Sequence, residues 1–466
     1  MSRPLALALA LSALLPASAY AEDLLQTYEL ARAGDPQLSA AESGRLAQKE
    51  GAVQARAQLL PQIDGSASLS RSHYAGQDYS DPTTRSYSAN LSQTVFNWSS
   101  IANVRAQNAL SHAADFDLEA AGDSLVTRTS AAYFNVLVAI ETLAAAEAAE
   151  AALKRQFDYA DKRLEVGLAP ITDVHEARAQ YDSARANTIA QRNALADAYQ
   201  ALTEITGTPI SDLKGLPDDF RPELPAGGDA DTWVASAMEN NPSLKSLEYQ
   251  VKSAAQGVSS ARGGHYPTLS FGASYGNRDS WGGPEFIPDP TDPTASTRAG
   301  ESRSIGLTLS VPIFSGGATQ SRVREAIANR DIRQDQYEQQ KRAVERNTRN
   351  SYQTLVAGIT EIEARRLAVV SADAAYDASQ VGLEVGTRTV LDVLINQQNL
   401  FNARQAYAIA KYNYLQNRLL LEQSAGSLDY DDVQEVNRLL TVDANAQLDE
   451  ETATGTTTQP VPPSVQ

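Results

Sequence analysis

The sequence repeats itself once, and this duplication limits the possible folds more than any other feature. The same short motifs occur in the same order in residues 22–225 and 229–440. The matched motifs are Asp35-Pro36 with Asn241-Pro242, Leu60-Pro61 with Tyr266-Pro267, Thr94-Val95-Phe96 with Pro312-Ile313-Phe314, Leu164-Glu165-Val166-Gly167 with Leu383-Glu384-Val385-Gly386, Asp173-Val174 with Asp392-Val393, and Gly207 with Gly426. Two tandem copies of about 200 residues predict a chain with internal pseudosymmetry, not a short-period solenoid.

The segments outside the two copies are predicted to lie outside the folded core. Residues 1–21 have the pattern of a signal peptide, with Arg3, an apolar run over 5–15 and the small-residue site Ala19-Tyr20-Ala21 before Glu22. The apolar run is too short to span a bilayer, which argues against a retained anchor. Residues 441–466 form a tail rich in Thr and Pro, which we expect to be disordered.

Each copy is predicted to contain a helix, a strand, a loop, a strand, a very long helix, a turn and a second long helix. In the predicted strands at 66–74, 87–96, 269–275 and 305–311, apolar side chains alternate with small or polar ones. This one-sided alternation is typical of barrel strands that have lipid on one face and water on the other. The second copy has extra residues at 284–297, between its strands, where an exposed loop is expected.

The predicted helices are unusually long. Residues 99–164 and 318–383 contain no proline, and at 1.5 Å per residue each helix would extend about 90–100 Å. The last helix has a seven-residue register, which predicts coiled-coil packing. Its first column is Val393, Leu400, Tyr407, Tyr414 and Leu421, and its second is Leu394, Phe401, Ala408 and Leu415. The first copy repeats the first column as Val174, Tyr181, Thr188, Leu195 and Leu202.

Composition excludes several other functions. The chain has no cysteine, which removes thiol chemistry and Cys-based metal sites. An excess of 57 acidic over 39 basic residues argues against a nucleic-acid partner. The histidines, at 73, 112, 175 and 265, lack the spacing of metal ligands. We therefore predict no cofactor and no metal.

The number of strands predicts self-association. No uncharged apolar stretch of about 18 residues follows residue 21, so no transmembrane helix is predicted, and a membrane-inserted chain would need a closed β-barrel. The smallest outer-membrane barrels have about eight strands, so four strands cannot close one. Two copies would supply eight strands and three would supply twelve, and the pattern alone leaves both open.

Five features together resemble the TolC family of outer-membrane factors. These are the duplication, the order strand, strand, long helix, the run VPIFSGG at 311–317 and the run VGTRTVLDVL at 385–394, with Tyr412-Asn413-Tyr414-Leu415 in the closing helix. The resemblance covers residues 22–440. It implies a mixed α+β membrane protein, a homotrimer in which each subunit gives four strands to a 12-stranded outer-membrane β-barrel. A long α-helical coiled-coil barrel would continue from it into the periplasm of a Gram-negative bacterium.

The resemblance also implies a function. The trimer would be a channel-tunnel and not an enzyme, surrounded by outer-membrane lipid, and would conduct secreted proteins or small toxic compounds. Its partners would be a periplasmic adaptor, or membrane fusion protein, and an inner-membrane transporter of the ABC or RND type. Two alternatives are a periplasmic coiled-coil adaptor or scaffold without a channel, and a hydrolase using Ser274 of the GxSxG-like run 272–276. That motif needs a strand-to-helix turn, whereas the segment is predicted to continue as a strand.

Site residues are also carried over from the family. The turns at 166–174 and 385–393 would lie at the periplasmic tip, where Gln156, Thr172, Asp173 and Arg388 match residues that hold the channel closed. Asp392 matches a ring of carboxylates at the entrance. A family tyrosine is replaced by Leu383 and a second aspartate by Ile395, so one latch hydrogen bond and one ring would be absent.

The same residues have a purely structural interpretation. Thr389 and Asp392 fit a capping box, and Pro170-Ile171-Thr172-Asp173 is suitable for a helix start. Gly167 and Gly386 are natural terminators of the incoming helices. Capping and gating are compatible with each other, so both remain open at this point.

Overall fold

The computed structural model describes residues 22–73, 81–168, 170–217, 220–225, 228–281 and 299–444. The predicted signal peptide, the predicted loop at 284–297 and residues 445–466 of the predicted tail lie outside this part of the chain. In chain order the elements are α1 (Leu24–Gly34), α2 (Pro36–Ala57), β1 (Gln62–Arg71), β2 (Thr83–Phe96), α3 (Trp98–Glu165), α4 (Ile171–Thr206), β3 (Lys214–Gly215), α5 (Ala230–Asn240), α6 (Pro242–Gly263), β4 (Thr268–Trp281), β5 (Ala299–Ser310), α7 (Ala318–Glu384), α8 (Val390–Ala425), α9 (Tyr430–Leu439) and β6 (Val442–Asp443).

The first helix of each predicted copy is in fact two helices, so the prediction of one helix is wrong. The breaks fall at Asp35 before Pro36 and at Asn241 before Pro242. Proline has no N–H and disfavours a helical conformation in the residue before it, so each proline begins a new helix. The Asn241 side chain caps α6 by accepting a hydrogen bond from the backbone N–H of Leu244.

The very long helices are confirmed to within one residue at each end. Helix α3 has 68 residues and α7 has 67. Helices α4 and α8 follow them after short turns and have 36 residues each. The absence of internal proline lets the backbone hydrogen bonds continue through every turn of α3 and α7. None of the helices in the described ranges is both long and apolar enough to cross a bilayer.

Four strands form one antiparallel sheet in the order β1-β2-β4-β5. One row of directly paired residues is Ile63, Leu91, Ala273 and Ile305, and the next row, on the opposite face, is Asp64, Asn90, Ser274 and Ser304. On the polar face, serine hydroxyls pair across strands, as between Ser68 and Ser86 at 2.7 Å. The predicted one-sided alternation is therefore confirmed.

A β-bulge changes one detail of that alternation. The register of β2 against β4 shifts between Thr94 and Phe96, so Val95 has no direct partner and Phe96 pairs with Leu269. A bulge inserts one extra residue and reverses the faces beyond it. Unbroken alternation along 87–96 would put Val95 in the apolar row, but Phe96 takes the next position of that row.

The chain divides into two units, and each takes segments from both copies of the repeat. Among the described residues, we call those within 22–36, 123–233 and 348–444 the helical unit, and those within 37–122 and 234–347 the sheet unit. In the sheet unit, the end of α6 approaches the start of α3 closely. The Ser99 hydroxyl donates to the carbonyl of Ser260 at 2.7 Å, and the indole N–H of Trp98 donates to the Ser259 hydroxyl at 3.1 Å.

The helical unit holds the main hydrophobic core. The largest fully buried side chains in this core are Leu24, Tyr133, Leu137, Ile140, Leu202, Leu213, Leu216, Leu355, Ile362, Tyr412 and Leu415. The two predicted columns of α8 contribute to the buried surface, with Val393, Leu394, Ala408 and Leu421 all buried. Thr188, the polar residue in the column of α4, is also buried, and its hydroxyl donates to the Ala184 carbonyl at 3.2 Å.

The predicted start of the disordered tail is wrong. Strand β6, Val442–Asp443, pairs with β3, and the Ala444 N–H donates to the carbonyl of Leu213 at 2.9 Å. Helix α9, which was not predicted, leads into this strand and buries Val433 and Val436 in the core. The chain is therefore ordered by contacts with residues more than 200 positions earlier, and such contacts leave no local signal.

Candidate functional site

Both predicted tip turns have the same helix-ending geometry. After α3, Gly167 has φ of 76°, its N–H donates to Leu164 and the N–H of Leu168 donates to Arg163. After α7, Gly386 has φ of 77°, with the equivalent hydrogen bonds to Leu383 and from Thr387 to Gly382. These are Schellman motifs, in which glycine adopts the left-handed conformation at low energetic cost. The predicted role of both glycines as helix terminators is confirmed.

The capping box at the start of α8 is also confirmed. The Asp392 carboxylate accepts hydrogen bonds from the Thr389 N–H at 2.9 Å and from its hydroxyl at 2.8 Å, and the Asp392 N–H donates to that hydroxyl at 3.2 Å. These hydrogen bonds, and the nearby charge of Arg388, lower the pKa of Asp392. Capping thus holds Asp392 ionised and fixes its position on the first turn.

Arg388 lies over the end of α7. Its guanidinium is 3.9 Å from the Asp392 carboxylate, and the side chain is more than half exposed. The stem of Arg388 contacts Gly382 so closely that a Cβ placed on that glycine would be 2.6 Å from Arg388 Cγ. Any side chain at 382 would therefore displace Arg388.

The first turn presents a different set of groups. Thr172 is exposed, and its hydroxyl lies 3.4 Å from the Asp173 carboxylate. Helix α4 begins after Pro170, as the capping interpretation of this turn predicts, but no side chain caps it. On α3, the Nε2 atom of Gln156 is buried and has no hydrogen-bond partner among the described residues. Within the described part of one chain, neither Thr172 nor Asp173 bonds to Arg388.

Contacts between helices hold the turns in place, and sequence reasoning missed them. Phe157 of α3 stacks on Tyr181 of α4 with ring centroids 6.3 Å apart. On α8, Gln397 donates to the Ala149 carbonyl of α3 at 3.3 Å, and Arg404 pairs with Asp373 of α7 at 3.4 Å. Gln397 is buried beside the apolar columns of α8. A polar residue at such a position is the one sequence signal that could have indicated this contact.

Ser274, the nucleophile of the hydrolase alternative, does not lie in a catalytic arrangement. Ser274 lies within β4, which continues to Trp281, and its hydroxyl is 2.7 Å from the Ser304 hydroxyl. A nucleophile elbow requires a sharp turn from strand to helix. The hydrolase alternative based on this motif is therefore wrong.

The fold defines a class of protein, and comparisons with known proteins agree on it. The chain combines an amphipathic antiparallel sheet with helices of 67 and 68 residues, and solved outer membrane channels share this fold. The chain aligns with the solved Campylobacter jejuni CmeC outer membrane channel at a TM-score of 0.75 and 21% identity, covering 91% of this chain and 90% of that one. It aligns with CusC, solved in a study of folding and transmembrane channel formation, at a TM-score of 0.73 and 18% identity, over 87% and 92%.

Sequence comparisons establish the family. The family model described as "Outer membrane efflux protein" matches residues 27–208 and 233–427. The chain is 35% identical to the outer membrane protein TolC of Escherichia coli K12 over 426 residues, which is 90% of this chain and 85% of the relative. It is 30% identical to the alkaline protease secretion protein AprF of Pseudomonas aeruginosa over 437 residues, 90% of this chain and 88% of the relative.

The chain therefore belongs to the outer membrane efflux protein family, which includes TolC. It is an outer-membrane protein and a channel for secretion and efflux, and such channels act within multi-component systems. The predicted family, function and localisation are confirmed.

Proposed function

We propose that three copies of this chain close one 12-stranded barrel in the outer membrane, with four strands from each. The observation that carries the proposal is the sheet itself. Its outer strands, β1 and β5, pair on one side only within the described residues. All neighbouring strands are antiparallel, so β5 of one copy can pair antiparallel with β1 of the next. Strands β1 and β5 have 10 and 12 residues, and unpaired edges of this length would promote non-specific association between chains.

The exposed apolar face of the sheet supports contact with lipid. Large apolar side chains on or beside that face are more than half exposed in the single chain: Ile63, Leu69, Ile305, Leu307, Leu309, Ile313 and Phe314. Contiguous exposed apolar surface of this kind marks a protein or membrane contact. Outer-membrane lipid is the partner that also explains the polar opposite face, which would line a water-filled lumen.

We assign the long helices to a coiled-coil barrel in the periplasm, built from two repeats, residues 22–225 and 229–440, after removal of residues 1–21. The repeated order of two helices, two strands and two long helices supports this division. Leu367, Val370 and Val381 on α7, and Val385 directly after it, remain more than half exposed. They fall on one face of that helix, where a neighbouring copy would cover them.

The tip turns are the proposed gate. Arg388, Thr172, Asp173 and Gln156 constrain the closed state through bonds between neighbouring helices, and the gate opens when these helices uncoil. The guanidinium of Arg388 is exposed and can donate hydrogen bonds to another helix pair. The Nε2 group of Gln156 is a donor without a partner among the described residues, which also supports this role. Leu383 stands at the tyrosine position and supplies no latch hydrogen bond.

Asp392 forms the proposed selectivity ring. Three carboxylates around a three-fold axis attract cations and repel one another, which would favour partial protonation. The hydrogen bonds from Thr389 act in the opposite direction, since they lower the pKa of Asp392. Capping by Thr389 therefore favours the charged form of the ring, and Ile395 leaves it as the single ring at this entrance.

The proposed partners are a periplasmic adaptor and an inner-membrane transporter of the ABC or RND type. The channel is passive and performs no catalysis. Relatives are named for protease secretion and for toluene efflux, so both protein and small-molecule cargo fit the family. Deleting the gene and comparing secreted protein with drug susceptibility would decide between them.

The assembly is tested by native mass spectrometry of the detergent-extracted protein. We expect a particle of three chains that inserts into planar bilayers and conducts ions. A water-soluble single chain without conductance would reject the channel and favour a periplasmic scaffold, and a two-chain particle would reject the 12-stranded barrel.

The gate is tested by two variants that disturb Arg388 in different ways. Arg388→Ala removes the charge, whereas Gly382→Ala keeps it but displaces the stem. We expect both to raise single-channel conductance. Gly358→Ala is the control, because it lies on the same helix and a Cβ there meets only ordinary contact, 3.8 Å from Tyr414. Unchanged conductance in both test variants would remove Arg388 from the gate.

The ring is tested by Asp392→Asn. Cation selectivity and block by multivalent cations should both weaken. Asp182→Asn, an exposed carboxylate on α4, changes the net charge equally and should leave both properties as they were. Equal behaviour of the two variants would contradict the selectivity ring.

A further inference from the structure

The helical unit contains an open groove that none of the roles above uses. Its volume is about 510 Å³, and it lies between the segment 220–222 and one face of α7. The lining is Phe220, Arg221, Pro222, Ile359, Ile362, Glu363 and Arg366. Phe220 and Ile362 are buried in the core, so the floor of the groove is apolar.

The rim of the groove carries excess positive charge. Arg221 and Arg366 face a single acid, Glu363, and Arg366 already bonds to that acid at 2.7 Å. The hydrogen bond from Arg366 lowers the pKa of Glu363, and the charge of Arg221 lowers it further. One carboxylate thus balances two guanidiniums, and the groove would favour an acidic ligand with an apolar residue beside its acids.

The chain itself contains a segment of this chemistry. The described part ends at Ala444, which is hydrogen-bonded to Leu213, and 22 residues follow it. Among them Leu448 directly precedes Asp449, Glu450 and Glu451. This apolar residue followed by three acids is complementary to the floor and rim of the groove.

The reach of the tail is comparable with the distance it must bridge. Ala444 contacts Gly215, because a Cβ on that glycine would lie 3.5 Å from Ala444 Cβ. Gly215 and Phe220 are five residues apart, at most about 18 Å, and the Phe220 N–H closes a turn by donating to Pro217 at 3.2 Å. From Ala444 an extended chain reaches about 14 Å by Leu448 and about 24 Å by Glu451.

We propose that the groove is the docking site of the chain's own C-terminal segment, with Leu448 over Phe220 and Ile359 and the acids at 449–451 between Arg221 and Arg366. Docking ties the end of the chain to α7. It gives the segment a structural role that is separate from the gate.

The first test uses cysteine pairs, which are unambiguous because the chain has no cysteine. Ile359→Cys is combined with Leu448→Cys in the full-length protein and treated with a short bismaleimide. We expect an internally linked single chain on a denaturing gel. The matched control combines Ile359→Cys with Ser464→Cys, which is on the same tail but beyond the acidic segment. Equal linkage in both pairs, or linkage mainly between two chains, would overturn the proposal.

The second test measures protection and charge. Ending the chain after Ala444 should raise the maleimide labelling rate of Ile359→Cys about tenfold, because the cover is lost. Arg221→Glu with Arg366→Glu should raise it similarly in the full chain, and lysines at 449–451 should restore slow labelling in that variant. A labelling rate that is unchanged by truncation, or charge reversal without rescue, would mean that something other than this segment covers the groove.

Discussion

Glu422 is a carboxylic acid that the fold buries where α8 ends. Its side chain accepts a hydrogen bond from the Ser427 hydroxyl at 2.6 Å, and it is 8% exposed. Burial raises its pKa, and the charges of Asp432 and Glu435 act in the same direction, whereas the hydrogen bond from Ser427 and the charge of Arg418 oppose it. Helix α9 therefore packs against an acid that is more easily protonated in the folded state than in the unfolded chain.

This burial predicts a pH-dependent loss of stability. With a folded-state pKa above the unfolded value of about 4.3, the contribution of Glu422 is fully present below that value and is lost as pH rises through the folded pKa. Glu422→Gln should therefore raise the melting temperature at pH 7 and have little effect near pH 4. Glu176→Gln, on the exposed surface of α4, is the control. A stabilisation that is equal at both pH values would show that ionisation is not the cause.

The turn glycines give a second prediction at the residue scale. Gly386→Ala forces an L-residue into the left-handed conformation and should cost about 1–2 kcal/mol. Gly122→Ala, inside α3 with open space around it, should instead stabilise by about 0.5–1 kcal/mol. Thermal unfolding followed by circular dichroism measures both. If the two substitutions shifted the midpoint in the same direction, the turn conformation would not be the reason for glycine at 386.

Local geometry explains which site residues could be read from the sequence. The Schellman glycines and the capping box at Thr389 and Asp392 depend on residues within six positions, so their patterns are visible in the sequence. The bond from Gln397 to Ala149 joins residues 248 positions apart. No local sequence pattern identifies such a distant partner. The gate residues were therefore predicted only through the resemblance to the family.

At the scale of elements, a buried charged group joins α3 to α8. Lys411 of α8, with its side chain 4% exposed, lies 3.0 Å from the Glu141 carboxylate of α3. The Tyr412 hydroxyl donates to the same carboxylate at 2.9 Å, and the Leu216 N–H donates to that hydroxyl at 3.4 Å. Helices α3 and α8 therefore meet at one acid, and the segment of Leu216 joins them through the Tyr412 hydroxyl.

Removing one partner of the Lys411–Glu141 ion pair should destabilise the protein more than removing both partners. Lys411→Met leaves Glu141 without its cation and should destabilise by about 3 kcal/mol. Adding Glu141→Leu to that variant should recover much of the loss, because no uncompensated charge then remains. Denaturant unfolding measures both. Two losses that simply add would show that the pair has no energetic coupling.

The elements also show where sequence patterns succeed. Helices of 67 and 68 residues contain many consistent turns, so composition and the absence of proline locate them well. The two-residue strands β3 and β6 exist because α9 and the core bring them together, so neither has a pattern of its own. The breaks at Pro36 and Pro242 did have a signal, which the prediction of a single helix overlooked.

For the whole molecule, the two faces of the sheet differ in charge as well as polarity. Among the described strand residues, the polar face carries two charged side chains, Asp64 and Arg278, and otherwise mainly serine, threonine and glycine. The chain as a whole has a net charge of −18, so most of its charge lies elsewhere. In the proposed barrel, this hydroxyl-lined face would surround the lumen and contribute little to ion selectivity.

Neighbouring residues on β5 test which face meets lipid. Leu307 pairs with Phe271 on the apolar face, and Thr308 pairs with Ser270 on the polar face. Leu307→Lys would place a charge in the hydrocarbon layer, at a cost of about 2–4 kcal/mol near the midplane, so the yield of inserted trimer should fall. Thr308→Lys places the same charge one residue further along the strand, where it would project into water. That variant should assemble normally and shift conductance towards anions, because the lumen face has few charges to mask it. Insertion yield and reversal potential are measured for both variants, and the reverse outcome would mean that the sheet faces the membrane the other way round.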